Sequence, residues 1–319
     1  MINKERGEIL KRGGIADIFE GQKIFGREFA LTSGRKTVSP LAYKTADRVF
    51  PYLRLITKPP KNRGRIILRG SIHGDEIPGT NTLLLYGSEI VERANTLGFS
   101  LDIHFCGNPY GFPRDRYNSQ YTADLARGKK YLGNNDFLRY ELSDGTIVDD
   151  LGKSNDFKNW YWSTDRRLKG VDLPVETRLA QKLLRSEYRT KADWQQVKAI
   201  IDLHADKISP GSMAKAAAYH YAMGDLSVYQ PIVTEIKKIV PVWSGMAVGV
   251  TVPPSDSEMV IDENGFIVRH DGSLPDLAFR EGVRQAITTE TAGATPLEKA
   301  CEVNLVWIFG IMDLLAKEV

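Results

Sequence analysis

Apolar and polar positions follow two rhythms along this chain, and the places where one rhythm gives way to the other divide it into elements. Residues 15–57 hold short mixed stretches (ADIFEG, REFALTS, RVFPYLRLIT) broken by Gly and Pro, a pattern that predicts hairpin strands entering a sheet. After the turn PPKNRG comes RIILRGSIH, a strand bounded by charge. The following IPGTNTLLLYGSEIVERANTLG repeats its apolar residues at helical spacing and predicts a helix. SLDIHFCGN then predicts a second strand, closed by Gly107, Asn108 and Pro109.

Residues 110–170 differ in kind: polar, rich in Tyr, Asn, Asp, Arg and Gly, and almost without period. A long stretch of this sort inside a compact domain is characteristic of binding loops. PVETRLAQKLLRSEY reads as a helix opened by Pro174. VKAIIDLHA reads as a strand buried on both faces. SVYQPIVTEIKKIV predicts a helix, VIDENGFIVRH a hairpin turning at Asn264-Gly265, and AITTETAG a strand that leads into a C-terminal helix, PLEKACEVNLVWIFGIMDLLAKEV. Strands alternating with helices imply an α/β fold: a mixed, mostly parallel, doubly wound sheet with helices on both faces. No Ser/Gly-rich linker and no fixed-period repeat interrupts the chain. The expectation is therefore one domain over residues 1–319, with 1–60 a strand-rich N-terminal segment and 110–170 an insertion of candidate binding loops.

Composition narrows the classes. With 42% hydrophobic and 26% charged residues, the 319-residue chain has the material for a large core. A net charge of +3, spread without a basic stripe, argues against nucleic acid as a partner. No run of eighteen apolar residues occurs and the first residues lack a secretory apolar stretch, so neither a membrane partner nor export is expected and the cytoplasm is the expected location. Cys106 and Cys301 lie far apart in apolar surroundings and are expected as buried free thiols.

Three strands end on ionisable residues: RIILRGSIH on His73 with Glu76 three positions later, VKAIIDLH on His204, and AITTE on Glu290. In an open α/β sheet, ligands bind beyond the carboxyl ends of the strands. A His and a Glu three apart on a tight turn, joined by a His from a neighbouring strand, form a His2Glu set. Such a set leaves one tetrahedral position for water, as catalytic zinc requires. One Zn2+ per chain is the expected cofactor. Asp202 and Asp206 flank His204, and either can orient it as a hydrogen-bond acceptor. His104, His220 and His270 are expected to be structural.

His73-Gly74-Asp75-Glu76 resembles the HGDE/HGNE motif of the zinc carboxypeptidase superfamily, which includes murein peptide amidases, succinylglutamate desuccinylases and aspartoacylases. Further matches follow in order. Asn108-Pro109-Tyr110-Gly111 is similar to NPDG, Arg116-Tyr117-Asn118 to Arg-x-Asn, Val175-Glu176-Thr177-Arg178 to a PETR helix start, Asp202-Leu203-His204 to the third ligand and Thr289-Glu290 to the catalytic glutamate. The likeness spans about residues 64–318. It implies a zinc hydrolase of amide bonds, with His73, Glu76 and His204 on the metal, Glu290 as general base and Arg116 stabilising the oxyanion, Arg114 being a rival for that role.

Two departures bear on the substrate. Where the superfamily carries an Asn-Arg pair for a terminal carboxylate, the best match here is Asn155-Asp156, a reversal of charge. Asp156 then suits a substrate bearing an amino group, as murein-type peptides do; alternatively Asp156 caps a helix and Arg139 or Arg166 clamps the carboxylate. No tyrosine occurs between Tyr229 and Glu290, where many carboxypeptidases place one, and Tyr219 and Tyr221 are the nearest substitutes. The expected partner is a small peptide or an acyl amino acid. A deacylase of N-acyl amino acids is the enzymatic alternative, and a non-catalytic binding protein on the same scaffold is the other.

Overall fold

In a computed structural model of the chain the described residues are 38–44, 49–108, 112, 139–141, 147–149, 188, 190–206, 216–246, 260–268 and 273–318. The strands are β1 (Val38–Lys44), β2 (Val49–Ile56), β3 (Arg65–Gly70), β4 (Ser100–His104), β5 (Arg139–Glu141), β6 (Ile147–Asp149), β7 (Val197–Leu203), β8 (Ala218–Ala222), β9 (Gly245–Met246), β10 (Val260–Ile261), β11 (Phe266–Ile267) and β12 (Gln285–Thr291). The helices are α1 (Ile77–Leu85), α2 (Gly87–Leu97), α3 (Lys191–Gln195), α4 (Gln230–Ile239), α5 (Leu274–Arg280) and α6 (Leu297–Lys317).

Eight strands form one sheet in the order β1-β2-β4-β3-β7-β12-β8-β11. Its centre, β4-β3-β7-β12, is parallel, and β8 and β2 run antiparallel to the strands they flank. The chain passes from β3 to β4 on one side and returns through β7 on the other, so the topological switch lies between β3 and β7. That crevice is where open sheets bind ligands.

Strand side chains alternate between faces. Ile66, Leu68, Leu101, Ile103, Ala199, Ile201, Leu203 and Ile287 share one core with Trp307, Ile308 and Ile311 of α6. The α6 residues fall at helical spacing, which is why a 21-residue helix can cover the sheet along one stripe. The alternate positions, Ile67, Arg69, Ile200, Asp202, Thr288 and Glu290, point to the other face. There α5 packs on β7 and β12, with Leu274 and Ala278 buried outside the main core. The sheet is thus mixed, with helices on both faces.

Several details differ from the pattern-based expectation. The single helix expected from Ile77 to Leu97 breaks at Tyr86: α1 is buried on all sides over the sheet's carboxyl edge, whereas α2 is amphipathic and exposes Glu89, Glu92 and Arg93. Polar Thr80, Asn81 and Thr82 hid that total burial. The turn at Asn264-Gly265 forms, with Gly265 at φ 83° and its N–H bonded to the Asp262 carbonyl at 3.1 Å. Its arms share one backbone hydrogen bond, from the Asp262 N–H to the Phe266 carbonyl at 3.0 Å, but continue into different sheets: β10 pairs with β9, and β11 extends the main sheet beside β8. β8, α3 and α5 had no expectation attached to them, because AYHYA, KADWQ and LPDLAFR are too short to show a period. ADIFEG, REFALTS, His270 and the PVETRLAQKLLRSEY helix apart from Tyr188 lie outside the described residues. No helix among the described residues is long and apolar enough to cross a membrane.

Candidate metal centre

The loop after β3 is held in an unusual backbone conformation. Ser71 adopts φ 48°, the left-handed region that non-glycine residues seldom occupy. Its hydroxyl donates to the Glu76 carbonyl at 2.6 Å and accepts the Thr80 N–H at 3.2 Å, while its carbonyl accepts the Asn108 N–H at 2.9 Å. These bonds compensate the strain and fold residues 71–76 into a tight turn. Two glycines let α1 descend onto the sheet: a Cβ on Gly79 would lie 2.4 Å from the Leu203 carbonyl oxygen, and one on Gly70 would lie 2.8 Å from Gly79. Close approach brings Glu76, at the start of α1, to the end of β7.

There the expected residues meet. The Nδ1 of His73 is 2.6 Å from Glu76 Oε1, and the Nδ1 of His204 is 3.1 Å from Glu76 Oε2. The imidazoles stand nearly perpendicular, with centroids 4.8 Å apart. All three side chains are buried, and their candidate ligand atoms lie within 4.8 Å of one another. Two imidazole nitrogens and a carboxylate facing one point are the donor chemistry of a catalytic zinc site, so the residues present fit the metal.

Glu290 joins the group from β12, with Oε1 3.8 Å from His204 Nδ1. Its strand is tied down from the opposite face: the Thr289 hydroxyl donates to Asn304 of α6 at 2.9 Å, and the Asn304 amide donates to Thr82 of α1 at 3.1 Å. One buried amide therefore links the strand that carries Glu290 to the helix that begins after Glu76.

Electrostatics separate the two carboxylates. Burial alone would raise Glu76, but the imidazoles of His73 and His204 outweigh it and bring the group down to about 2. Burial and the charge of Glu76 push Glu290 well above the usual carboxylate range. One carboxyl favours the ionised form and the other favours holding a proton, the kind of separation that marks a candidate functional site. Burial would lower His204, yet Asp202 and Glu76 raise it well above an ordinary imidazole.

Asp202 lies against the Nε2 edge of His204, with Oδ2 3.1 Å from that nitrogen in an ion-pair contact. Asp206 has a different neighbourhood: burial and the charge of Glu76 raise it to about 6, while the Tyr219 hydroxyl lowers it. Tyr219 is the register partner of Glu290, which puts the two on one face of the sheet. The sequence offers Tyr219 only as a substitute for a missing tyrosine, and the pairing of β8 with β12 is what brings it beside Glu290. His104 and His220 are structural as expected, the first 3.2 Å from Asp102 and the second accepting the Trp307 indole N–H at 3.1 Å. Cys106 and Cys301 are buried free thiols, each pushed up to about 12 by burial. Arg114, Arg116, Asn155 and Asp156 lie outside the described residues; Arg139 lies in β5, with its side chain outside them.

No protein-family model and no curated protein matches the chain by sequence. Solved structures do match it in shape. A candidate metallopeptidase from Shewanella amazonensis superimposes with a TM-score of 0.60 at 16% identity, covering 94% of this chain and 93% of that one. Bovine thrombin-activatable fibrinolysis inhibitor, solved with tick carboxypeptidase inhibitor, gives 0.56 at 12% identity over 96% of this chain and 98% of its own. A metallo-carboxypeptidase from Burkholderia cenocepacia gives 0.50 at 10% identity, with 92% and 68% covered. The chain shares its fold with these metallopeptidase and carboxypeptidase structures.

Proposed function

We propose that the chain is a zinc-dependent hydrolase of an amide bond in a peptide, with His73, Glu76 and His204 holding one metal ion and Glu290 acting as general base. The observation that carries this reading is the meeting of a buried His2Glu set with a second, protonatable carboxyl at the sheet's carboxyl edge. Zinc bound there supplies a Lewis acid for the scissile carbonyl and brings the pKa of water towards about 7. Glu290 takes the proton of the attacking water and passes it to the leaving nitrogen. Arg116 is assigned to the oxyanion and Arg114 is its rival, both on the strength of the motif.

Asp75, Glu76, Asp206 and Glu290 give the site an acidic surround, and Asp156 adds a further acid where the superfamily has an arginine. That balance favours a substrate with an amino group near the scissile bond, such as a murein-type peptide, over a plain peptide C-terminus. A deacylase of N-acyl amino acids is the second reading, favoured by the absence of tyrosine between Tyr229 and Glu290. The test is incubation of the zinc-loaded protein with murein tripeptide and with N-acyl amino acids, beside a metal analysis. One zinc per chain and release of the amino-bearing product from the tripeptide are expected. Cleavage of the acyl amino acids alone would replace the first reading with the second, and a native chain that takes up no metal would sink both.

A further inference from the structure

We propose that Arg69 is a positioning residue for the metal centre, acting through Asp202 on the ring of His204. The inference rests on the metal-site reading above.

Arg69 on β3 and Asp202 on β7 are register partners in adjacent parallel strands, so both side chains leave the sheet on the same face. The guanidinium grips the carboxylate with two N–H groups: Nε donates to Oδ1 at 2.8 Å, and the second terminal nitrogen donates to Oδ2. Asp202 is fully buried and Arg69 nearly so. A planar fork meeting a planar carboxylate sets both the position and the plane of that carboxylate, which a lysine, as a point charge, would not do.

The geometry continues to the metal site. Asp202 and His204 are two residues apart on extended chain and lie on one face, and the oxygen that Arg69 grips with its terminal nitrogen is also 3.1 Å from His204 Nε2. The Asp202 carboxylate, held by Arg69, stands against the Nε2 edge of the ring, and the opposite edge, Nδ1, therefore faces Glu76 at 3.1 Å, the side from which a metal ligand must present its nitrogen. Arg69 thus fixes which nitrogen of His204 faces the cation and at what angle, without touching cation or substrate.

The chain contains its own control. Arg54 grips Asp102 with Nε at 2.7 Å and a terminal nitrogen at 2.6 Å, and Asp102 Oδ1 is 3.2 Å from His104 Nε2. This second Arg–Asp–His unit is equally buried, but the metal-capable cluster among the described residues includes His204 and not His104. Disturbing it perturbs the fold in the same manner and leaves the metal ligands alone.

The experiment compares zinc affinity, by competition with a chromophoric chelator, and the visible absorption of the cobalt(II)-substituted protein in wild type, Asp202→Asn, Arg69→Lys and Asp102→Asn. Asp202→Asn and Arg69→Lys are expected to weaken zinc by about 10- to 100-fold and to alter the cobalt spectrum. Asp102→Asn is expected to keep both at wild-type values. Two substitutions on the Arg69 side let the folded one be read if the other does not fold. Wild-type affinity and spectrum in the folded variant would overturn the inference, as would equal losses in Asp102→Asn. If wild type binds no zinc, the proposed function fails with it, whereas wild-type zinc binding that Arg69 and Asp202 do not influence defeats this inference alone.

Discussion

Two strands of the sheet end in the same three-residue pattern, and only one of them contributes to a candidate metal site. β4 ends Asp102-Ile103-His104 and β7 runs into Asp202-Leu203-His204. In each, an arginine from the neighbouring strand grips the aspartate and the aspartate faces the histidine Nε2. The difference lies in the neighbours. β7 sits between β3 and β12, whose ends deliver Glu76 and Glu290 to the other side of the His204 ring. β4 sits between β2 and β3, and its aspartate takes a further hydrogen bond from the Tyr188 hydroxyl at 2.7 Å. Both strands thus bring an aspartate against a histidine, and the crevice at the switch point gathers only one of the two histidines into the metal-capable cluster among the described residues.

The largest expected effect comes from removing the two histidines in turn. His204→Ala should lose stoichiometric zinc and amide hydrolysis together, while His104→Ala should keep one zinc per chain in a metal analysis. Zinc retained in the first or lost in the second would erase the distinction. Glu290→Gln sharpens it from the chemical side: zinc should stay bound while hydrolysis falls by about 10²- to 10⁴-fold, the usual contribution of a general base. If hydrolysis is unchanged, Glu290 is not the base.

The same comparison shows what was legible in the sequence. His73, His204 and Glu290 could be read because each ends a strand-like run, where a parallel sheet presents side chains to a ligand, and Glu76 because it follows His73 by three positions in the His-Gly-Asp-Glu motif. The Arg69–Asp202 grip could not, because periodicity shows which face a residue takes along a strand and not which strand lies beside it. β7 follows β4 by some ninety residues yet pairs with β3. Tyr219 stayed a weak candidate for the same reason, since its place beside Glu290 depends on the antiparallel return of β8. The break at Tyr86 went unread because α1 buries threonines and an asparagine along with its leucines. The substrate-facing candidates of residues 110–170 rest on motif alone.

A smaller effect is expected where the non-metal unit is broken. Arg54→Met leaves Asp102 buried with its charge no longer gripped by two N–H groups, although His104 and Tyr188 remain beside it. Removing one partner of a buried pair costs about 3–5 kcal/mol. Urea unfolding should show a loss of that size, with zinc stoichiometry unchanged. A loss under about 1 kcal/mol would mean that the Arg54 pair does not hold the sheet together as a buried ion pair does.

The smallest effect concerns a third histidine, on the apolar face of the sheet. His220 packs against Trp307 and Phe266, and burial pushes it down to about 3. Above pH 6.5 it is neutral whether the chain is folded or not and contributes nothing to the pH dependence. Below that, the unfolded chain takes up a proton that the folded chain resists, so stability falls by up to about 1.4 kcal/mol per pH unit until the pH approaches the folded value. His220→Gln keeps an acceptor for the Trp307 indole and cannot titrate. Its unfolding free energy should therefore decline less steeply than that of wild type between pH 6 and pH 4. Parallel declines would show that His220 takes up its proton in the folded state as easily as in the unfolded one, and that the two faces of the sheet do not treat a histidine differently.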